Sequence, residues 1–245
     1  MSDFIDDSSP YYVIKYVFKY EEAEDLVIPI KLDKKTLELV TEDTPEVEKD
    51  WTKLDFNQCE CCPLKTENHS HCPAAKGLSM FIERFADNLS HVTTKVAVVT
   101  PERTYYKETS LQNGIYSIMG LVTATSGCPI FHPLKPMARF HLPFSTVEET
   151  LTRALSFHLI RQYFEAQKQE NIDPLSLDDL NETYKNIDEV NKGLLTRIRA
   201  VSKKDANQNA LIVLDAFKTM LSGAIDDDFE DLTEYVFPET NFPVE

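Results

Sequence analysis

The residues with the most chemistry in this sequence are four cysteines crowded between Cys59 and Cys72. Cys59-Glu60-Cys61-Cys62 runs into Pro63, and His69-Ser70-His71-Cys72 runs into Pro73. Cys59 and Cys62 form a Cys-x-x-Cys pair, a spacing that lets one tight turn aim two thiolates at a single ion. Cys72 supplies a third thiolate. Thiolates with imidazoles in a compact loop are ligands for zinc, and an all-thiolate set suits zinc or an iron–sulfur cluster. The fourth ligand has two candidates: His69 or His71 within the loop, or Cys128 from a distant proline-rich stretch. Cys62, Cys72 and Cys128 each precede a proline, a dipeptide found at the last ligand of cluster motifs and in zinc loops alike. Cys61 lies between the paired cysteines, where a ligand would compete sterically with both neighbours, so it falls outside the set. The bland alternatives are buried small-residue cysteines and a redox-active vicinal pair, Cys61-Cys62.

Three further groups carry side chains capable of chemistry. Cys128 with His132 and His141 has the makings of a nucleophile and base, the basis for a thiol-dependent enzyme, but no local signature surrounds it. Arg139 and His141 alternate with apolar residues in Pro136–Pro143; an extended edge segment explains them, and a ligand contact beside the cysteine loop is the sharper reading. His158 lies among Leu151, Ala154, Leu155 and Leu159 and reads as a satisfied histidine on a helix face. Glycine-rich phosphate loops, nucleophile elbows and His-Glu-x-x-His are all missing, which removes the common routes to naming a reaction.

The composition narrows the setting. Among 245 residues, 25 Lys and Arg face 41 Asp and Glu, a formal net charge of −16. That balance argues against nucleic acid or an anionic membrane as partner. No run approaches the roughly 20 apolar residues of a membrane helix. Met1–Pro10 is acidic and polar, unlike a secretory signal, so a cytoplasmic protein with reduced thiols is expected.

The elements that must position these residues follow from hydrophobic period. Residues 1–56 read as β: Tyr12, Ile14, Tyr16, Phe18 and Tyr20 alternate with other residues at period two, and Leu26–Leu32 and Leu37–Val40 continue the pattern. Residues 57–144 form a Cys-rich α+β core. It holds a helix over about 73–88, strands at Thr93–Thr100 and Arg103–Glu108, a buried helix over 110–125 ended by Gly127, and an irregular stretch with prolines at 129, 133, 136 and 143. Residues 145–225 read as an antiparallel bundle of three amphipathic helices, at about 146–168, 177–203 and 207–222. Ser145-Thr146-Val147-Glu148 fits a capping box, and Ser176 to Asp179 is a similar start. Residues 226–245 carry eight acidic side chains with no Lys or Arg. They form a tail, solvated or docked through its aromatics on a basic face such as Arg197, Arg199, Lys203 and Lys204.

The segments Cys-x-x-Cys-Pro-Leu at 59–64, Cys-Pro at 72–73, Ala-Thr-Ser-Gly-Cys-Pro at 124–129 and Pro-Met-Ala-Arg-Phe-His-Leu-Pro-Phe at 136–144 resemble a family of uncharacterised bacterial proteins over roughly residues 10–222. The resemblance implies a bacterial cytosolic protein and groups Cys59, Cys62, Cys72 and Cys128 as one set; it implies no reaction. The expectation is an α+β protein with a β-rich N-terminal part, a Cys-rich metal loop and a C-terminal helical bundle. It holds structural zinc, with a 4Fe–4S redox or sensor centre as the alternative. It is expected to act by binding a protein partner or by self-association through the 177–203 helix, with a thiol-dependent enzyme centred on Cys128 as the further alternative.

Overall fold

Aromatic and β-branched residues at every second position give a strand two unlike faces. In the computed structural model, which describes residues 9–20, 24–41, 49–168, 175–202, 204–210, 212, 223–224, 229 and 232–236, strand β1 (Tyr11–Lys19) is an inner strand of a sheet built on that rule. β1 pairs with β2 (Leu26–Asp33) on one side and β3 (Thr93–Val99) on the other, and β3 pairs with β4 (Thr104–Ser110). All pairs are antiparallel, in the order β2-β1-β3-β4. Ile14 stands opposite Ile30, and Tyr16 opposite both Ile28 and Val98, so one face is continuously apolar and buried.

Helices cover that face. α1 (Pro73–Leu78) and α2 (Leu111–Thr125) pack together. α2 reaches the sheet where the buried Tyr16 hydroxyl meets Ser117 Oγ at 3.0 Å. α2 ends at Gly127, whose φ of +84° is the left-handed conformation that closes helices. Burying the rings of Tyr16, Phe18, Phe81, Phe85 and Phe131 stabilises this layer by about 1.5–3 kcal/mol apiece. Phe18 and Phe85 meet with centroids 4.9 Å apart in a tilted pair.

The remaining helices are α3 (Lys135–Arg139), α4 (Val147–Ala166) and α5 (Asp178–Arg199). α3 touches α2 and α4, whereas α5 touches α1 and a 3-10 turn at Asp50–Thr52. Among the described residues no helix is long and apolar enough to cross a membrane. The third helix of the expected bundle enters at Ala206–Ala210, and most of its length lies outside the described residues. Its start is tied back to the core, since Asn207 Nδ2 donates to Ile82 O at 2.8 Å and Lys204 N–H to Ala86 O at 3.0 Å.

Several expectations need correction. The helix expected over 73–88 stops at Leu78 and resumes as a 3-10 turn, Ile82–Phe85. Ser79 competes for the backbone there: its Oγ donates to Lys76 O at 2.8 Å. Leu37–Val40 forms a single bridge, Leu39 to Leu32, and no strand. The proline-rich stretch is helical in two places, a 3-10 turn at His132–Leu134 and α3, because Pro133 and Pro136 fall in first turns, where the missing N–H costs little. The capping box shifts by one residue: Thr146 Oγ1 accepts from Glu149 N–H, and Glu149 Oε2 from Thr146 N–H. Arg197, assigned to a basic docking face, is 1% exposed. Of the tail, Phe229 and Leu232 are buried, and most other positions lie outside the described residues.

Candidate functional site

The cysteine loop is built by backbone ties before any thiol is considered. Trp51 and Leu54 are buried, and Leu54 N–H donates to Ser70 O while Cys72 N–H donates to Thr52 O at 2.8 Å. These bonds close residues 55–69 into a loop. Inside it, Cys62 N–H donates to Cys59 O at 3.0 Å, the tight turn that the Cys-x-x-Cys spacing predicts. Cys72 caps α1 with extended backbone, and Cys128 follows α2, where its N–H meets Ser126 Oγ.

Arg197 on α5 locks the loop's base. Its Nη1 donates to the carbonyls of Trp51 and Lys53, both at 2.7 Å, and its Nη2 to Leu54 O at 3.0 Å. The guanidinium also lies over the Phe56 ring, 5.9 Å from its centroid. Only a planar fork with several donors satisfies three adjacent carbonyls at once.

The loop, the start of α1 and the turn after α2 bring Cys59, Cys62, Cys72 and Cys128 into one electrostatic neighbourhood. Burial pushes the Cys59 thiol up to about 12, and the thiols of Cys72, Cys61, Cys62 and Cys128 push in the same direction. Burial raises Cys128 to about 11; the backbone N–H groups of Ile130 and Phe131 pull it down, and Cys72 and Cys62 push it up. All five cysteines are free thiols. Cys61 Sγ donates to Asn186 O on α5 at 3.6 Å, while still acting on Cys59 more strongly than Cys62 or Cys128 does. Among the described residues no three His, Cys, Asp or Glu side chains form a group that holds an ion as they stand. The donor set is nonetheless soft and of one kind, which suits zinc or a cluster and not magnesium or calcium.

The local histidines are placed differently. His69 is exposed, and His71 is half-buried with Nδ1 on Ser70 Oγ at 2.8 Å. Neither is among the charges that act most strongly on Cys59 or Cys128. His158 is satisfied by Ser176 O at 2.8 Å.

Arg139 and His141 part company. Arg139 stays on the surface over the Tyr12 ring, 4.8 Å from its centroid. His141 turns inward, and its Nε2 meets the Tyr16 hydroxyl. It borders a cavity, so part of its surface is accessible, yet protein encloses the ring and pushes its pKa down to about 3. The chain Ser117–Tyr16–His141 is satisfied when Ser117 donates to Tyr16 and Tyr16 to Nε2, the neutral form of the ring. Sequence reasoning missed Ser117, Arg153 and Tyr184, which border the same cavity. They sit on three different helices, and no spacing in the chain links them.

Fold and site together define an α+β protein with a four-stranded antiparallel sheet, a helix layer over one face, and a cysteine-bearing loop held against α5. The chain belongs to the family described as "Domain of unknown function (DUF6901)", which matches residues 14–237. No curated protein and no solved structure matches it.

Proposed function

We propose that this chain is a metal-binding protein in which Cys59, Cys62, Cys72 and Cys128 hold a structural zinc ion, and that it acts as a binding or regulatory module. The observation that supports the reading is that Cys59 lies within electrostatic reach of thiols from three chain segments, Cys72 most strongly, then Cys61, Cys62 and Cys128. If ionised without a cation, such a set is self-repelling and buried; a divalent ion removes both penalties. Zinc–sulfur bonds of about 2.3 Å place tetrahedral sulfurs roughly 3.8 Å apart, so binding requires the four thiols to close to that spacing. The backbone N–H groups near Cys128 then stabilise its thiolate. Arg197 and the Thr52–Cys72 tie hold the loop in place for that closure.

The test is elemental analysis and absorption spectroscopy on protein purified without oxygen, followed by cobalt substitution. The reading expects about one zinc per chain, no visible band, and a cobalt form with intense sulfur-to-metal charge transfer. Iron with sulfide and a broad visible band would replace it by the 4Fe–4S reading. Metal-free protein that also fails to take up cobalt would sink both.

A further inference from the structure

Beneath α2 and between α3, α4 and α5 lies a partly open cavity of about 130 Å³. That is close to the roughly 150 Å³ of an apolar cavity that takes up benzene. Leu121, Ala124, Phe131 and Ala138 give it apolar walls, and among its polar lining groups Tyr116, Tyr184 and His141 lie within electrostatic reach of Arg153.

Arg153 is the unusual member. Its Nη2 donates to Met137 O at 2.6 Å and Phe140 O at 3.0 Å, which fixes the guanidinium in place. No acceptor for Nε or Nη1, and no carboxylate within 4 Å, occurs among the described residues. Glu149, the nearest carboxylate that Arg153 senses, is committed to the Thr146 capping box. The buried Tyr184 hydroxyl is within electrostatic reach of the guanidinium, and no hydrogen bond to it occurs among the described residues. The half-buried guanidinium keeps its charge and borders the cavity, so an anion entering there meets a fixed positive group with donors to spare. A neutral His141 adds no competing positive charge.

We propose that this cavity binds a small monocarboxylic acid with an aromatic or branched apolar body, its carboxylate facing Arg153 and Tyr184 and its hydrocarbon seated against Leu121, Ala124 and Phe131. The carboxylate supplies a counter-charge for Arg153, and the apolar walls receive the hydrocarbon. A body of about six to eight carbons fills the volume. A phosphate or dicarboxylate is disfavoured, because its second charge would enter the apolar end.

The experiment uses the full-length chain as purified. It measures thermal shift and saturation-transfer NMR with benzoate, phenylacetate, isovalerate and hexanoate, each against its neutral amide. The expected result is that at least one acid binds with a dissociation constant of about 1 mM or tighter and raises Tm, with its amide about tenfold weaker or worse. Tyr184→Phe, which keeps the ring, weakens the acid several-fold and leaves the amide unchanged. Arg153→Gln removes the preference for acid over amide. Acids and amides binding alike would overturn the proposal and leave an apolar cavity only. If no acid in the panel binds, the proposal is likewise overturned. Should Arg153→Gln fail to fold, the acid–amide comparison on the parent chain and Tyr184→Phe still decide the matter.

Discussion

Gly193 leaves room for Cys59: a Cβ built on Gly193 would stand 2.9 Å from Cys59 Sγ and 3.5 Å from Asn57 O. Glycine inside a helix is disfavoured by about 0.5–1 kcal/mol relative to alanine, so α5 gives up helical stability at the point where the cysteine turn presses on it. Gly193→Ala restores that propensity and collides with the sulfur. In metal-free protein the thiol swings aside, and stability stays within about 1 kcal/mol of the parent. With zinc bound the sulfur is held, and affinity falls at least about tenfold. Competition with a chromogenic chelator measures this, and unchanged affinity would remove Cys59 from the ligand set.

The cysteines separate by role. Cys128→Ser is expected to leave less than one zinc per chain by elemental analysis. Cys61→Ser, whose thiol is engaged with Asn186 O, is expected to retain it in full. Equal loss in both variants would mean that the ion sits across the Cys61-Cys62 pair.

Arg197 predicts a stability effect independent of metal. Arg197→Met strands the buried contacts at Trp51 and Leu54 and the part-buried one at Lys53, and a buried carbonyl left without a donor costs about 1–3 kcal/mol. Urea unfolding is expected to show a loss of about 3 kcal/mol or more in metal-free protein. Arg197→Lys recovers only part, because an ammonium cannot span three carbonyls with the geometry of a fork. A loss under about 1 kcal/mol would show that water replaces the guanidinium.

His141 sets a pH dependence whose sign is fixed by its environment. Its pKa is about 3 in the folded protein and about 6.5 in an unfolded chain. As pH falls through 6.5, the unfolded state takes up a proton that the folded state refuses, so stability drops with pH until both are protonated near pH 3. The slope reaches at most about 1.4 kcal/mol per pH unit. His141→Gln is expected to flatten unfolding free energy between pH 6 and 5, above the main carboxylate range. An unchanged slope would place the ring in solvent.

The sheet and long helices were legible because each obeys one period. Tyr12 to Phe18 announce a strand with one buried face, and Leu180, Tyr184, Ile187, Val190, Leu194 and Ile198 announce α5 and are all buried. The interrupted helix at 73–88 was not legible, since Leu78, Phe81, Ile82 and Phe85 keep helical spacing while Ser79 diverts the backbone. The bond of Cys61 to Asn186 O was not legible, because Asn186 lies 125 residues away on α5. The cavity was out of reach. Arg153 sits on an amphipathic helix like any solvent-facing arginine, and only the arrival of the Met137 and Phe140 carbonyls, from a stretch expected to be irregular, turns it inward.

The Arg197 fork also governs when the protein can be completed during synthesis. Its partner at Trp51 lies 146 residues earlier in the chain. At about 5–20 residues per second, the carbonyls of Trp51, Lys53 and Leu54 wait roughly 7–30 s on the ribosome before their donor is made. Closing so long a loop also costs entropy that only the finished contact repays. A nascent chain that already carries β1 to β4 and α2 therefore holds an unanchored cysteine segment until α5 emerges, and a product terminated before residue 197 exposes that segment permanently to proteases.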